Sequence, residues 1–179
     1  MKNKILILTF LILTASFPAK AAHELPDTGQ EESYTATFGE DHDYQPAASQ
    51  PSYTDNGDGT VTDNKTGLMW LKDANNYNGG AMQTWEAALS GCESFSYAGY
   101  SDWRLPNGRE LESIVDAGEQ NPAINTTYFL NTESSQYWTS TTYVPNASYA
   151  WHVRFGNGVV DYGGTKTANL YVRPVRGSP

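Results

Sequence analysis

Three carboxylates, Asp55, Asp58 and Asp63, stand among Asn56, Gly57, Gly59 and Asn64 in the run TDNGDGTVTDN. Oxygen ligands gathered in a tight turn are what Ca2+ requires, so the three form a candidate calcium loop. Their spacing is not that of an EF-hand, which wants acids or amides at alternate positions and a late Glu. Asp and Asn beside Gly are also ordinary turn residues, and turn chemistry is the preferred reading. Other reactive groups are sparse. His23 and His42 lie in an acidic stretch, and His152 faces outward beside Arg154 if its strand alternates. Cys92 is the single cysteine, so no intrachain disulfide can form. Glu110 and Glu112 are two apart on a helix, where side chains diverge. No HExxH, GxSxG, CxxC, phosphate-loop or dinucleotide fingerprint occurs. The expectation is a protein that is not an enzyme.

The elements that position these residues are organised around GYSDWRLPNGREL, Gly99 to Leu111. Pro106 fixes its own φ and biases Leu105 away from the α region, so a loop packed through Trp103 and Leu105 gives way abruptly to a helix. Asn107 can cap that helix, and Glu110 three residues on completes the spacing of a capping box. Leu111, Ile114 and Val115 then lay an apolar stripe on the core. Asp102 and Arg104 flank Trp103 as a structural polar network. An earlier helix runs from Trp85 to about Phe95 with Thr84 as its cap. On its inner face, Trp85, Ala88, Leu89 and Cys92 share one stripe, which makes Cys92 a buried, inert thiol.

Strands account for most of the rest. Segments around Val61 and Met69 flank the turn Asn64–Gly67, with Gly67 at the left-handed position of a hairpin. Tyr137–Thr142 is rich in β-formers, Trp151, Val153 and Phe155 alternate with polar neighbours, and Gly156-Asn157-Gly158 turns the chain into Val159–Tyr162. This reading puts Trp138 and Trp151 in the core. The last strand, Leu170 to Val175, closes the sheet near the arm's strands. Two helices between a β start and a β-rich end make the fold class α+β.

At the start of the chain, Lys2 and Lys4 precede the apolar run Ile5–Leu13, and Ala19-Lys20-Ala21 is a small-x-small cleavage site. Residues 1–21 therefore read as a secretory signal peptide, and the product as exported: periplasmic, cell-surface or secreted. No later segment is apolar enough to span a bilayer. Cleavage removes three lysines and no acid, which changes the formal charge from −9 to −12. Half of the acids fall between Glu24 and Asp63, where no Lys or Arg occurs. That field repels polyanions and excludes nucleic acid as a partner. Residues 22–52 form an acidic, extended arm. Its aromatics Tyr34, Phe38 and Tyr44, with Tyr53 just beyond, argue for packing against the single domain of residues 53–179.

The runs SDWRLPNGREL, NGDGTVTDNKTGLMW and YVRPVRG resemble the Lcl C-terminal-domain family. These are secreted bacterial domains mostly of unknown function, named for the end domain of a collagen-like surface adhesin. The resemblance extends from Leu25 to Gly177. It implies a C-type-lectin-like fold, similar also to formylglycine-generating enzymes, with two helices and a twisted antiparallel sheet whose N- and C-terminal strands are adjacent. Such folds build a ligand face from loops of the C-terminal half. Here those loops hold Tyr143, Asn146, Ser148, Tyr149, Asn157, Asp161, Tyr162 and Asn169. The implied partner is a glycan or protein at a cell surface. Sulfated polysaccharides, which the name-giving adhesin binds, find no basic patch on this acidic chain. The oxidase relatives hold copper with a cysteine pair, which Cys92 alone cannot supply, and no WND-type segment completes a lectin calcium site. A structural envelope module without ligand is the further alternative.

Overall fold

The computed structural model describes residues 28–38, 40–44 and 50–177; the expected signal peptide and His23 lie outside them. Strands β1 (Tyr53–Asp55), β2 (Thr60–Asp63) and β3 (Met69–Leu71) open the domain. Each pairs antiparallel with the next, Val61 facing Trp70 across β2 and β3. Helix α1 (Asp41–Tyr44) is a single turn in the arm, while α2 (Trp85–Glu93) and α3 (Gly108–Glu112) serve the domain. Strands β4 (Gln136–Thr142), β5 (Tyr149–Arg154) and β6 (Val159–Thr165) form a second antiparallel sheet. The short β7 (Val175–Arg176) returns to the first sheet, whose order is β1-β2-β3-β7. The fold is α+β, as expected, with the antiparallel strands divided between two sheets.

The first and last strands share a sheet, but β7 pairs with β3 rather than with strands from the arm. Leu170 and Tyr171, expected to belong to that strand, make single bridges to Gln83 and Tyr137 instead. Both turn expectations hold. Gly67 and Gly158 have φ of 73°, the left-handed region that costs glycine nothing. Asp63 Oδ1 accepts from Lys65 N at 2.9 Å and closes the first turn.

Strands β4 and β5 of the second sheet feed two separate cores, one on each face. Tyr137, Val153 and Phe155 join Leu111 and Ile114 of the α3 region, with Val61 and Trp70, in one core cluster. Trp138 and Ala150 join Ala88 and Cys92 of α2, with Trp103 and Leu105, in another. Adjacent residues of β4 thus enter different cores, as a pleat requires when both faces are covered.

Asn107 caps α3 as its sequence predicts. Its Oδ1 accepts from Arg109 N at 2.9 Å and Glu110 N at 3.0 Å, and Glu110 Oε2 accepts from Asn107 N at 2.8 Å. Glu110 is buried and also takes both guanidinium nitrogens of Arg104 at 2.7 Å. Asp102 pairs with Arg176, so Asp102 and Arg104 enter two separate ion pairs on either side of Trp103 rather than the single network expected. Thr84 differs from expectation: it occupies the cap position of α2, yet its side chain makes no capping bond. Asn107→Ala is therefore expected to cost about 1 kcal/mol, read as a lower urea midpoint at unchanged slope, whereas Thr84→Ala should cost much less.

The arm meets the domain where Ala117 N donates to Thr28 O at 2.7 Å. Its aromatics do not pack as expected. Tyr34, Phe38 and Tyr44 are exposed, and only Tyr53 is seated, against Tyr128 and Phe129. Acidic neighbours in the arm and too short an apolar run leave those rings without a core to enter.

Candidate functional site

The hairpin joining β4 to β5 is built by its own loop residues. Tyr143 N donates to Tyr149 O, Asn146 N to Tyr143 O and Tyr149 N to Asn146 O, each at 3.0 Å. Asn146 Oδ1 accepts from Ser148 N at 3.1 Å, so the Asn146 side chain is committed to shaping this turn. Val144, at the tip, is 86% exposed. Beside it, Tyr143 stacks on Tyr162 of β6, with ring centroids 4.4 Å apart and planes at 15°. Trp151 meets both edge-to-face, at 5.9 Å from Tyr143 and 5.6 Å from Tyr162. The three rings form an aromatic corner, with two parallel slabs and a third ring nearly perpendicular to them.

This corner borders a cleft of about 320 Å³ lined by Asn107, Arg109, Glu112, Thr141, Trp151 and Val160, with Gly108. Gly108 N donates to Thr141 Oγ1 at 3.0 Å and fixes α3 against β4, so the cleft walls are tied together. Arg109 and Glu112 form an exposed ion pair at 2.9 Å, which contributes little to stability and can exchange for ligand contacts. Together the cleft and corner offer apolar ring faces next to donors and acceptors of both signs.

The expected ligand residues divide between places. Tyr143, Tyr149, Asn146 and Tyr162 are grouped at one end of the second sheet. Asn157 lies in the β5–β6 turn at the opposite end and lines a separate polar cleft with Asn121, Gln136 and Arg154. Strand direction is the cause, since the two hairpins of a three-stranded antiparallel sheet point opposite ways. Asp161 sits between, bridged to Arg154 at 3.0 Å and accepting from Tyr162 N at 2.7 Å. Ser148 and Asn169 are exposed.

Two further assignments need correcting. Trp151, read from the sequence as core, is only half-buried and belongs to the aromatic corner. His152, read as outward, is buried, and neither ring nitrogen has a hydrogen-bond partner. Its place is beside Trp138 and Gly164, where a Cβ on Gly164 would approach His152 Nδ1 at 3.2 Å. Burial holds the imidazole pKa below its ordinary range, against the pull of Asp161. Arg109, Glu112, Thr141 and Asn107 were missed as cleft residues, because only the α3–β4 contact brings them to Trp151.

The aspartates of the candidate calcium loop are each engaged elsewhere. Asp55 pairs with Lys72 at 2.5 Å, Asp58 accepts from Thr60 N at 3.0 Å, and Asp63 holds its turn. Among the described residues no group of three or more His, Cys, Asp or Glu side chains is placed to hold a metal ion. Cys92 is buried as expected, and that burial pushes its thiol up to about 12. A folded sample should accordingly react with a thiol reagent at least 100-fold more slowly than an unfolded one, and Cys92→Ala should bind as the parent does. Fast labelling of folded protein would contradict this placement.

No described helix is long and apolar enough to cross a membrane. The family model of the Lcl C-terminal domain matches residues 59–176, and the chain belongs to that family. No curated protein matches the chain.

Proposed function

We propose that this member of the Lcl C-terminal domain family is an exported, non-catalytic recognition module that binds a surface glycan or protein at the aromatic corner and its cleft. The observation that carries the reading is the Tyr143–Trp151–Tyr162 cluster, whose Trp151 also lines the cleft beside Asn107, Arg109, Glu112 and Thr141. Aromatic rings of this kind offer large contact area at low entropic cost and stack on the apolar faces of sugars. Nearby Asn107, Thr141, Arg109 and Glu112 supply the directional contacts that hydroxyl groups or peptide amides need. Export is supported by Lys2, Lys4, the apolar run Ile5–Leu13 and the Ala19-Lys20-Ala21 site. A formylglycine-generating-type oxidase would need a reactive thiol pair, and the single, buried Cys92 weighs against one.

A glycan array and a pull-down from envelope extract, run with the parent and with Tyr143→Ala/Tyr162→Ala, test the proposal. The double variant is expected to melt within a few degrees of the parent and to lose about 2 kcal/mol or more of binding, the size of a hot spot. A folded parent that captures nothing on either assay would favour a structural envelope module instead. Binding that survives the double substitution would place the ligand face elsewhere.

A further inference from the structure

Among the described residues the strand edges of this domain are covered or short, with one long exception. The outer edge of β4 is bonded by passing chain: Trp138 N donates to Tyr171 O at 2.9 Å, Tyr171 N to Gln136 O at 3.0 Å and Ser140 N to Pro106 O at 2.7 Å. The outer side of β7 exchanges two bonds with Arg104, at 2.9 and 3.0 Å. β1 has only three residues. β6 has seven, runs at the end of the order β4-β5-β6, and has no strand on its outer side among the described residues. Its sequence VVDYGGT carries neither Lys nor Pro, and its protection is confined to Asp161 and one register irregularity against β5. Val159 and Tyr162 on it are 45% and 49% exposed.

The arm contains a segment with the complementary deficiency. In Tyr34-Thr35-Ala36-Thr37-Phe38, apolar residues alternate with threonines, the period of a strand with one buried face. In this chain the segment is bent rather than paired. Its Tyr34 and Thr35 amides donate to the Glu40 carboxylate at 2.9 and 2.6 Å. Tyr34 and Phe38 are 74% and 72% exposed, so the chain's own domain covers little of either ring. Charge supplies the match between the two. Glu31 and Glu32 precede the segment, and Glu40 and Asp41 follow it. Arg154, which also pairs with Asp161 of the strand, faces the first residue of β6, and Lys166, bonded to Thr142, follows its last. Opposite charges at both ends of a short pairing set register and speed encounter more than they add affinity.

We propose that the open edge of β6 receives the Tyr34–Phe38 segment of a second copy of this chain as a fourth strand. Five residues extended span roughly 17 Å, within the length of β6. Main-chain bonds give such an addition its affinity, and the alternate side chains give it specificity. Tyr34, Ala36 and Phe38 would share one face and continue the apolar side of the sheet that carries Val160 and Tyr162. Reciprocal exchange closes a dimer, because each copy gives one arm and accepts one.

Sedimentation velocity over a concentration series, on the chain expressed from Ala22, tests the association. A reversible, concentration-dependent dimer is expected. Tyr34→Lys/Phe38→Lys, outside the folded domain, should weaken it at least 10-fold without altering the melting curve. Mixing a Thr35→Cys chain with a Gly163→Cys chain under mild oxidation should give a disulfide between copies, since Gly163 has open space around it and Cys92 is buried. A monomer at every concentration would overturn the proposal. So would a dimer indifferent to the lysine substitutions, which would mean two β6 edges pairing directly. A chain carrying both cysteines that bridges only within itself would assign the edge to its own arm and also overturn the second-copy assignment.

Discussion

Arg173→Met is expected to be among the most damaging single substitutions in the domain, costing about 3–5 kcal/mol, because several buried carbonyls lose their donor at once. Arg173 is fully buried. Its Nη1 donates to Leu71 O at 2.6 Å and Lys72 O at 3.1 Å, and its Nη2 to Leu130 O at 3.1 Å and Thr132 Oγ1 at 2.6 Å. The guanidinium also lies 5.5 Å from the centre of the Phe129 ring. Three segments distant in sequence, around residues 71, 131 and 173, are therefore joined through one side chain. Burial pulls the guanidinium down to about 10, so it stays cationic at neutral pH. Its compensation comes from carbonyl dipoles rather than from a bonded carboxylate. Methionine fills the volume but leaves those carbonyls unpaired, at about 1–3 kcal/mol for each left without water. Calorimetry should show a melting point lower by roughly 6–20 °C. Arg173→Lys should fall between the two, because one ammonium cannot reach both Leu71 O and Thr132 Oγ1 as a planar fork does. A methionine variant that melts within 2 °C of the parent would show that the network contributes nothing net.

Trp138→Ala is expected to cost about 3–5 kcal/mol through the cavity it opens, while Trp151→Ala should cost far less and abolish recognition. The two tryptophans look alike in sequence and differ in place. Trp138 is fully buried, donates from Nε1 to Gln83 O at 2.9 Å, and lies so close to Gly164 that no side chain fits there. Trp151 keeps one side open to the cleft. Urea denaturation of both variants beside the parent separates the roles. Equal losses of stability would return Trp151 to the core and remove the aromatic corner as a site.

What the sequence made legible was local. Asn107 with Glu110, the turns at Gly67 and Gly158, and the stripe ending at Cys92 each depend on residues within a few positions of one another. Short-range sterics and hydrogen bonding decide such features wherever the chain goes. The site was half legible. Of the proposed aromatic corner, Tyr143 and Tyr162 were named from composition and loop placement, though Tyr162 lies within β6, and Trp151 and His152 were exchanged. Alternation assigns one face of a strand to solvent, and β5 has cores on both faces. A register shift against β6 between Ala150 and His152 adds to the difficulty, since the extra residue lies on β6 and nothing in the alternation of β5 reports it. Arg173 was invisible for a related reason. An arginine reads as surface until distant carbonyls are known to converge on it, and nothing near it in the chain reports Leu71 or Leu130.

The way the last residues lock the domain bears on how it is made. Tyr171 covers β4, Val175 bonds both Arg104 and β3, and Arg173 ties the two remaining segments together. A nascent chain that has emerged only to Leu170 lacks all of these closures and leaves Trp70, Trp103 and Trp138 without their lids. The domain therefore cannot complete its fold while the ribosome is still adding residues before 171. If the chain is exported as proposed, late closure would act as a built-in timer during passage through a narrow translocation pore. Such a chain would stay pliable during passage and be stabilised only on the far side.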